Sequence, residues 1–223
     1  MVNNFQIFLK LAMLFEKHGF SLYLVGGASR EFLLGEQISE FDCATDATAD
    51  EMESFLIDAN FVFRKYGTVT HKVDGHRFEI TTLRKEAGYI NYRYPDKITF
   101  VKTIGEDYVR RDFTINAIYI DARQNIYDFA GGQKDLKQKV LRMIGDPYVR
   151  LKEDPLRIIR GLRFVAKLKL TIDEDLSKAI FNTKDLLGKL NKEKILFEYK
   201  KVNKSDQSIF LALLKQYEIE ILN

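Results

Sequence analysis

The fold is decided by residues 21–46, SLYLVGGASREFLLGEQISEFDCATD. The apolar run Leu22-Tyr23-Leu24-Val25 is typical of a strand that is buried on both faces. Gly26-Gly27 end this strand, and good helix formers follow over residues 28–34. A diglycine ahead of a helix lets backbone N–H groups approach a phosphate, and the helix N-terminus favours the anion. This part of the sequence therefore predicts a strand, a phosphate-binding turn and a helix.

Two carboxylates follow the helix in the tripeptide Glu40-Phe41-Asp42. If this segment is extended, the period of two puts Glu40 and Asp42 on one face and Phe41 on the other. Adjacent carboxylates repel, which raises the pKa of one of them unless a cation lies between them. A diglycine alone is usually a turn, and an E-x-D pair alone is commonly a solvated strand edge. Together, in this order and spacing, they indicate metal-assisted phosphoryl or nucleotidyl transfer.

The composition is that of an ordered globular protein with one large domain or two modest ones. The chain has 223 residues, of which 46% are hydrophobic, only three prolines and a net charge of +3. The positive excess lies towards the C-terminus, in Lys184, Lys189, Lys192, Lys194, Lys200, Lys201 and Lys204. This lysine tract fits either a solvated helix face or a surface that follows a phosphate backbone.

Cys43 is the one cysteine of the chain, so an intramolecular disulfide is excluded. A single thiol fits a reducing compartment, and its place in an apolar strand predicts a small core residue. The sequence contains neither a signal peptide pattern nor an apolar run of membrane-spanning length. We therefore expect a cytoplasmic protein without a membrane partner. The sequence does not indicate an oligomeric state.

The first 140 residues predict an α+β domain. We expect helices over residues 5–18, ended by Gly19, and 49–59; strands over 61–63, 68–73, 77–82 and 98–101; and a hairpin of 118–120 with 126–128. Residues 84–96, rich in Tyr and Arg, predict a long mobile loop. Alternation places Glu79 on the opposite face from Phe78 and Ile80, as either a third acid beside Glu40 and Asp42 or a solvent-facing carboxylate.

The pattern from Val140 onward is helical, which places a domain boundary near residue 140. The most informative helix is predicted over residues 153–169, with its apolar side chains on one face. The opposite face carries Glu153 and an arginine row, defined as Arg157, Arg160 and Arg163, while Asp154 lies at its margin. The arginine row fits either a solvated face or a nucleotide-binding one.

Several strings together resemble one family, the class II tRNA nucleotidyltransferases (CCA-adding enzymes) and the related bacterial poly(A) polymerases. These strings are LVGGASREFLLG, EFDCATDAT, RFEITTLR, EDYVRRDFTINAI, DFAGGQKDL and RLKEDPLRIIRGLRF, in the family's order over about residues 20–170, with a weaker likeness at NKEKILFE. The resemblance implies a nucleotidyltransferase head over residues 1–140, with a small mixed or antiparallel sheet and flanking helices. An all-helical neck over residues 141–223 would recognise the nucleotide base.

The resemblance also implies roles for individual residues. The acids that would bind Mg²⁺ are Glu40 and Asp42, with Glu79 as a nearby third catalytic acid. The residues that would bind the nucleotide are Gly27, Arg30, Arg111, Asp154, Arg157, Arg160 and Arg163. Among these, Arg111 would contact the triphosphate, and Asp154 with Arg157 would recognise the incoming base.

The implied reaction is template-independent addition of C and A to the 3′ end of tRNA from CTP and ATP. Two metal ions about 4 Å apart can activate the primer hydroxyl and neutralise the leaving pyrophosphate. Cytosine and adenine both present an exocyclic amine beside an unprotonated ring nitrogen, which an Asp–Arg pair can bind. Uracil and guanine present the reverse pattern, which would leave buried groups unpaired at about 1–3 kcal/mol each. Choosing between C and A requires this Asp–Arg pair to move, and the loop over residues 84–96 is expected to move it.

The whole interpretation requires the acids at 40 and 42 to face the arginine row across a shared crevice.

Two departures from the family keep alternatives open. Glu40 stands where the family usually has Asp, and Mg²⁺ prefers near-octahedral geometry, so the longer side chain predicts either a compensating backbone or a slower enzyme. The family's body and tail domains are expected to be absent, which predicts a weak grip on RNA. The alternatives are a CC-adding or A-adding enzyme, a poly(A) polymerase, a weakly catalytic RNA-binding protein on the same scaffold, and a nucleotidyltransferase with a small-molecule acceptor.

Overall fold

The computed structural model describes residues 4–90, 92 and 94–221, which form two compact units. The first unit contains residues up to 86, together with 98–111 and 115–133. The second unit contains residues 87–97 and 112–114 and the chain from 134 onward.

A mixed sheet runs through the first unit. The strands in this part of the chain are β1 (Leu22–Leu24), β2 (Phe41–Thr45), β3 (Thr68–Val73), β4 (His76–Thr82), β5 (Arg84–Ile90), β6 (Tyr94–Phe100), β7 (Ile118–Ile120) and β8 (Ile126–Asp128). Six of them form one sheet in the order β3-β4-β2-β1-β7-β8, in which β2 and β4 are parallel and the other pairs antiparallel. This sheet and its flanking helices confirm the predicted α+β fold class.

The helices up to residue 138 are α1 (Phe5–Lys17), α2 (Gly26–Leu33), α3 (Ala49–Glu53), α4 (Ile104–Asp107) and α5 (Gly132–Gln138). Helix α1 ends as predicted, because Gly19 adopts a φ of +82° that favours glycine. Helix α3 begins with a capping box, in which Glu51 accepts a hydrogen bond from the N–H of Thr48 at 2.7 Å. It ends at Glu53, so the predicted extension to residue 59 is wrong.

The two faces of the six-stranded sheet have different roles. Phe41, Cys43, Phe78 and Ile80 lie in the larger core, which also contains the aromatic side chains of α1. Because side chains alternate along a strand, Asp42, Ala44 and Glu79 point to the other face. There Ala44 belongs to a smaller buried cluster with Val25, Leu83, Ile104 and Tyr119. The acids therefore lie on the sheet face that carries fewer apolar contacts.

The second unit is mainly helical. Its helices from residue 147 onward are α6 (Pro147–Glu153), α7 (Leu156–Leu168), α8 (Glu174–Thr183), α9 (Lys192–Lys200) and α10 (Gln207–Gln216). Helix α6 begins at Pro147, where Asp146 caps it by accepting hydrogen bonds from the N–H groups of Tyr148 and Val149. Helix α7 packs against α6, α9 and α10. Its Gly161 allows a close approach, because a Cβ there would lie 3.0 Å from Cζ of Phe113.

Two further predictions for the first part of the chain need correction. The strand expected at 61–63 is not formed; Asn60 makes an isolated bridge to Thr70, and its side chain accepts from the N–H of Val62 at 2.9 Å, which turns the chain. The loop expected at 84–96 is instead formed largely by β5 and β6, which pair in a two-stranded sheet. Gly88, at a φ of +64°, permits a close approach to Asp96. Residues 91 and 93 of the expected loop lie outside the described residues.

Two predictions for the second part also need correction. The helix expected over 153–169 begins only at Leu156, because Pro155 disfavours helical geometry in the preceding residue and Asp154 adopts φ −144° and ψ 93°. The chain from Val140 is not wholly helical, since β9 (Val140–Leu141) and β10 (Thr171–Ile172) form a short parallel pair.

Candidate active site

The diglycine turn closes directly onto Asp42. A Cβ on Gly26 would lie 3.2 Å from Oδ2 of Asp42, and Gly26 has a φ of +66°. The N–H of Gly27 donates a hydrogen bond to the Asp42 carboxylate. The turn thus brings backbone N–H groups and the start of α2 beside the central acid of the sheet, as the sequence predicts.

Glu79 lies beside Asp42 on the neighbouring strand. The two residues are directly paired in the parallel register of β2 and β4. The pKa of Asp42 is raised from its ordinary value of 3.8 to about 6, most by burial and then by the charges of Glu79 and Glu40, against the opposing effects of Gly27 and Arg30. The structure therefore places Glu79 beside Asp42, and these two residues are named the acid pair.

Glu40 lies one residue before β2 rather than within it. Its side chain is exposed, and its charge reaches Asp42. The alternation argument for Glu40 therefore does not apply, although the two carboxylates remain electrostatic neighbours. Among the described residues, no cluster of three or more His, Cys, Asp or Glu side chains has the geometry of a complete metal site.

The acids nevertheless have the chemistry of a magnesium site. Mg²⁺ is usually held by one or two carboxylates together with water and substrate phosphates, rather than by a full protein cage. Carboxylate oxygens are the hard donors that this ion prefers. The pKa of Asp42 is raised chiefly by burial and then by the charges of Glu79 and Glu40, and a divalent cation would favour the ionised form of this carboxyl.

Arg30 supports the diglycine turn from within the protein. It is buried, and its Nη1 donates to the carbonyl of Gly26 at 3.0 Å and to the side-chain oxygen of Asn116. Its positive charge also lowers the pKa of Asp42. Arg30 thus holds the turn and offsets part of the carboxylate charge.

Arg111 is held rigidly by two buried groups. Its Nε donates to Oδ2 of Asp107 at 3.0 Å and to the hydroxyl of Tyr119 at 2.7 Å, and that hydroxyl donates to Asp107 at 2.6 Å. Burial alone would raise the pKa of Asp107, but Arg111 and Arg110 hold it well below its usual range. The guanidinium lies over the Tyr119 ring, 4.9 Å from its centroid.

The strand register relates Arg111 to the acid pair. Asp42 lies opposite Val25, and the N–H of Val25 donates to the carbonyl of Asp42. On the other side of β1, the antiparallel register with β7 places Tyr119 opposite Val25. Since neighbouring strands lie about 4.8 Å apart, Tyr119 is about 10 Å from Asp42 along one row of the sheet. The first unit therefore holds two carboxylates and a buried arginine site along a single line.

The arginine row of the second unit is paired rather than exposed. Arg157 is only 6% exposed, and its Nη1 donates to the carbonyl of Arg150 at 2.7 Å and to Glu153 at 3.2 Å. Asp154 lies between α6 and α7, where its carboxylate accepts from the N–H of Leu156 at 3.1 Å. Of the two alternatives for the arginine row, a solvated face does not describe these side chains, because they bind partners on other elements.

Arg160 and Arg163 share a buried carboxylate from α9. Arg160 donates twice to Asp112, at 2.7 and 3.0 Å, while Arg163 donates to Glu198 at 3.1 Å. Glu198 also lies 3.9 Å from Arg160 and accepts from Lys201 at 2.9 Å. Burial raises the pKa of Glu198, but these cations bring it below its ordinary value. This network fixes α7 against α9.

Sequence reasoning did not identify the residues that hold the arginines. These partners are Asp107, Asp112, Asn116, Tyr119 and Glu198. Three of them, Asp107, Asp112 and Asn116, lie within the string EDYVRRDFTINAI, and Tyr119 directly follows it. The spacing of Asp107 and Arg111, four residues apart, was a local signal for their ion pair. The pairs Arg30–Asn116, Arg160–Asp112 and Arg163–Glu198 join residues that are distant in sequence, which no local spacing indicates.

None of the helices among the described residues is long and apolar enough to cross a membrane.

Comparison with known proteins places this chain in context. The sequence profile of the Poly A polymerase head domain matches residues 22–142. The CCA-adding enzyme of Staphylococcus haemolyticus is 39% identical over 208 residues, which represent 93% of this chain and 52% of that protein.

Solved structures give the same result. The crystal structure of the Bacillus stearothermophilus CCA-adding enzyme in complex with CTP superposes with a TM-score of 0.87 at 32% identity, covering 97% of this chain and 53% of that one. A tRNA nucleotidyltransferase complexed with a primer tRNA and an incoming ATP analog gives a TM-score of 0.78 at 28% identity, covering 93% of this chain and 60% of that one. The chain spans about half the length of the relatives that it matches.

Proposed function

Since this chain belongs to the Poly A polymerase head domain family, we propose that it is a template-independent nucleotidyltransferase that adds C and A to the 3′ end of tRNA from CTP and ATP. The observation that carries the proposal is the acid pair of Asp42 and Glu79 beneath the diglycine turn. The similarity to CCA-adding enzymes, one of them solved with CTP, supports the choice of substrates. A cytoplasmic location, in line with the lone thiol of Cys43, completes the proposal.

In the proposed site, Glu40 and Asp42 bind a divalent cation, and Glu79 is the third acid. Bound Mg²⁺ would lower the pKa of the primer 3′-hydroxyl and neutralise charge on the leaving pyrophosphate. The residues of the chain orient the reactants around it. Gly27 and Arg30 shape the turn at the start of α2, where a helix N-terminus favours a phosphate.

Arg111 would bind the triphosphate from the same sheet. Because Asp107 and Tyr119 fix its Nε, the guanidinium loses little side-chain entropy when it binds an anion. A guanidinium is always charged and matches the planar fork of two phosphate oxygens. Arg111 is therefore proposed to orient the leaving pyrophosphate rather than to transfer a proton.

The two parts of the chain are proposed to divide the work. Residues 1–140 would form the catalytic head, and residues 141–223 the neck that recognises the base. Asp154 would accept from the exocyclic amine of cytosine or adenine, and Arg157 would donate to the adjacent ring nitrogen. Arg160 and Arg163 would support this pair by fixing α7 through Asp112 and Glu198.

The test is an extension assay on a tRNA that lacks its 3′-terminal CCA. The full chain is incubated with Mg²⁺ and with CTP, ATP, UTP or GTP singly and with CTP and ATP together, and the products are resolved at single-nucleotide length. We expect C and A to be added and U and G to be excluded. Asp42→Ala should lower the rate by more than about 100-fold, since a misplacement of about 1 Å can cost that much. The matched control is Asp50→Ala, an exposed aspartate that pairs with Arg64.

The family name also favours a second candidate, a poly(A) polymerase. The same catalytic residues would serve both reactions, so the product length separates them. Addition that stops after three nucleotides supports the proposal, and a long ladder of A supports the alternative. Equal use of UTP, or no incorporation with any triphosphate, would refute both.

A further inference from the structure

The two residues before Glu40 are held by side chains from two different helical segments. The amide of Asn4 donates to the carbonyl of Ile38 at 2.8 Å and accepts from the N–H of Ile38 at 2.9 Å. The carboxylate of Glu31, on α2, accepts from the N–H of Ser39 at 2.7 Å and from its hydroxyl at 2.8 and 3.0 Å. These contacts satisfy both backbone polar groups of Ile38 and the N–H of Ser39.

The segment that leads into Glu40 has no regular secondary structure, so side chains supply its hydrogen bonds. Glu31 is buried, and a buried carboxylate is costly unless hydrogen bonds compensate for its lost hydration. Ser39 supplies such hydrogen bonds through its N–H and its hydroxyl. Ile38 is itself in the larger core. The backbone that enters Glu40 is therefore fixed by a buried charge as well as by packing.

Glu40 needs such a fixed backbone more than an aspartate would. Its carboxylate is carried on one more methylene, so it has one more rotatable bond and more positions to choose from. Its carbonyl accepts from the N–H of Asp42 at 3.2 Å, which keeps the two acids in a constant relation. A cation held by Asp42 therefore meets the Glu40 carboxylate only if the Cα of Glu40 stays in place.

We propose that Glu31 is a positioning residue, which acts through Ser39 to fix the backbone of Glu40 so that the longer carboxylate reaches a cation bound at Asp42. This inference rests on the proposed function, because it assumes the divalent cation site there. It explains how a glutamate can serve at position 40, since the backbone is set for the longer side chain.

The test measures metal binding rather than turnover. Mn²⁺, which also prefers oxygen donors, is titrated into the full chain without added nucleotide, and free Mn²⁺ is counted by electron paramagnetic resonance. Partners that orient a metal ligand typically change affinity by about 10-fold or more. We therefore expect Glu31→Gln to weaken Mn²⁺ binding by about 10-fold. Ser39→Ala should weaken it less, because the Ser39 N–H can still donate to Glu31.

Three controls separate positioning from general damage. Glu36→Gln removes a carboxylate from the same segment and should leave Mn²⁺ affinity unchanged. In a Glu40→Ala background, Glu31→Gln should have no further effect, since its target is gone. Glu40→Asp should also weaken binding, because the backbone is set for the longer side chain. Urea unfolding of every variant shows whether the fold is retained, and Ser39→Ala provides the result if Glu31→Gln does not fold.

The outcomes distinguish this inference from the proposed function. If Asp42→Ala abolishes Mn²⁺ binding, three results would each overturn the positioning role alone. These are wild-type Mn²⁺ affinity in Glu31→Gln, unchanged Mn²⁺ affinity in Glu40→Asp, and a loss of affinity from Glu31→Gln that is as large in the Glu40→Ala background as in the wild type. If Asp42→Ala binds Mn²⁺ as the wild type does, the proposed cation site fails and the positioning role fails with it.

Discussion

The charge of Asp42 should destabilise the metal-free protein at neutral pH. The pKa of this carboxyl is raised from 3.8 to about 6, a shift of about two units, and each unit corresponds to about 1.4 kcal/mol. Keeping Asp42 ionised therefore costs up to about 3 kcal/mol of unfolding free energy. We expect Asp42→Asn to remove this cost and to stabilise the metal-free protein by about 1–3 kcal/mol at pH 7.5, while it abolishes nucleotide transfer.

The pH dependence follows from the direction of the shift. Because the folded protein binds the Asp42 proton more tightly than the unfolded chain does, folding is favoured at low pH, and this advantage is lost as the pH rises from about 4 to about 6. Asparagine does not titrate. The stability gained by Asp42→Asn should therefore be small near pH 4, grow through this window and stay constant above it.

The measurement is urea unfolding of both proteins with EDTA at a series of pH values. Asp50→Asn is the control, because Asp50 is exposed and its pair with Arg64 should contribute less than about 1 kcal/mol. Adding Mg²⁺ should raise the midpoint of the wild type and not that of Asp42→Asn, since binding stabilises only the folded state that has the site. A stability difference that does not change with pH, or a variant less stable at every pH, would refute this account of Asp42.

Three further predictions follow from buried contacts. Tyr119→Phe removes the hydroxyl that accepts from Arg111, so we expect the KM for CTP and ATP to rise about 3–10-fold with little change in kcat. A fall in kcat of that size with an unchanged KM would contradict a role of Arg111 in triphosphate binding. Glu198→Gln should lower the free energy of unfolding in urea by about 2–4 kcal/mol at pH 7, because the carboxylate is stabilised by neighbouring cations. The difference between variant and wild type should shrink as the pH falls below about 4.5, and a difference that is constant with pH would contradict this account. Gly161→Ala should lower the free energy of unfolding by about 1–3 kcal/mol through a clash with Phe113, against about 1 kcal/mol gained in helix propensity. A variant more stable than the wild type would show that Phe113 can move away from α7.

The part of the site that the sequence predicts is the part whose signals are local. The apolar run before Gly26, the glycines and the alternation around Glu79 each agree with the tertiary structure, so the strand, the turn and the face of Glu79 follow from short windows. The pairing of Glu79 with Asp42 does not, because it depends on the register of two strands. Pro155 was an equally local signal, because it disfavours helical geometry in Asp154 and so places the start of the helix at Leu156 rather than at Glu153. The pairing of β5 with β6 was less predictable, because the partner that satisfies each strand is the other strand.

The partners of the arginines could not be predicted in the same way. Arg160 binds Asp112, 48 positions away, and Arg163 binds Glu198, 35 positions away. Helical periodicity predicts which face a side chain occupies, and it does not indicate which element will lie against that face. A polar helix face and a buried ionic network therefore have the same sequence pattern, and the fold decides between them.

The burial of Cys43 within β2 provides a natural probe of that strand. Cys43 directly follows Asp42 in the strand, with its thiol in the core on the opposite face of the sheet. Burial raises the pKa of this thiol, so a thiol-modifying reagent can react only when β2 separates from its neighbours. The modification rate therefore measures how often the strand that carries Asp42 opens, with no other cysteine in the chain to interfere. If CTP and Mg²⁺ bind where we propose, they should slow this reaction, and the degree of protection would give their affinity without any turnover.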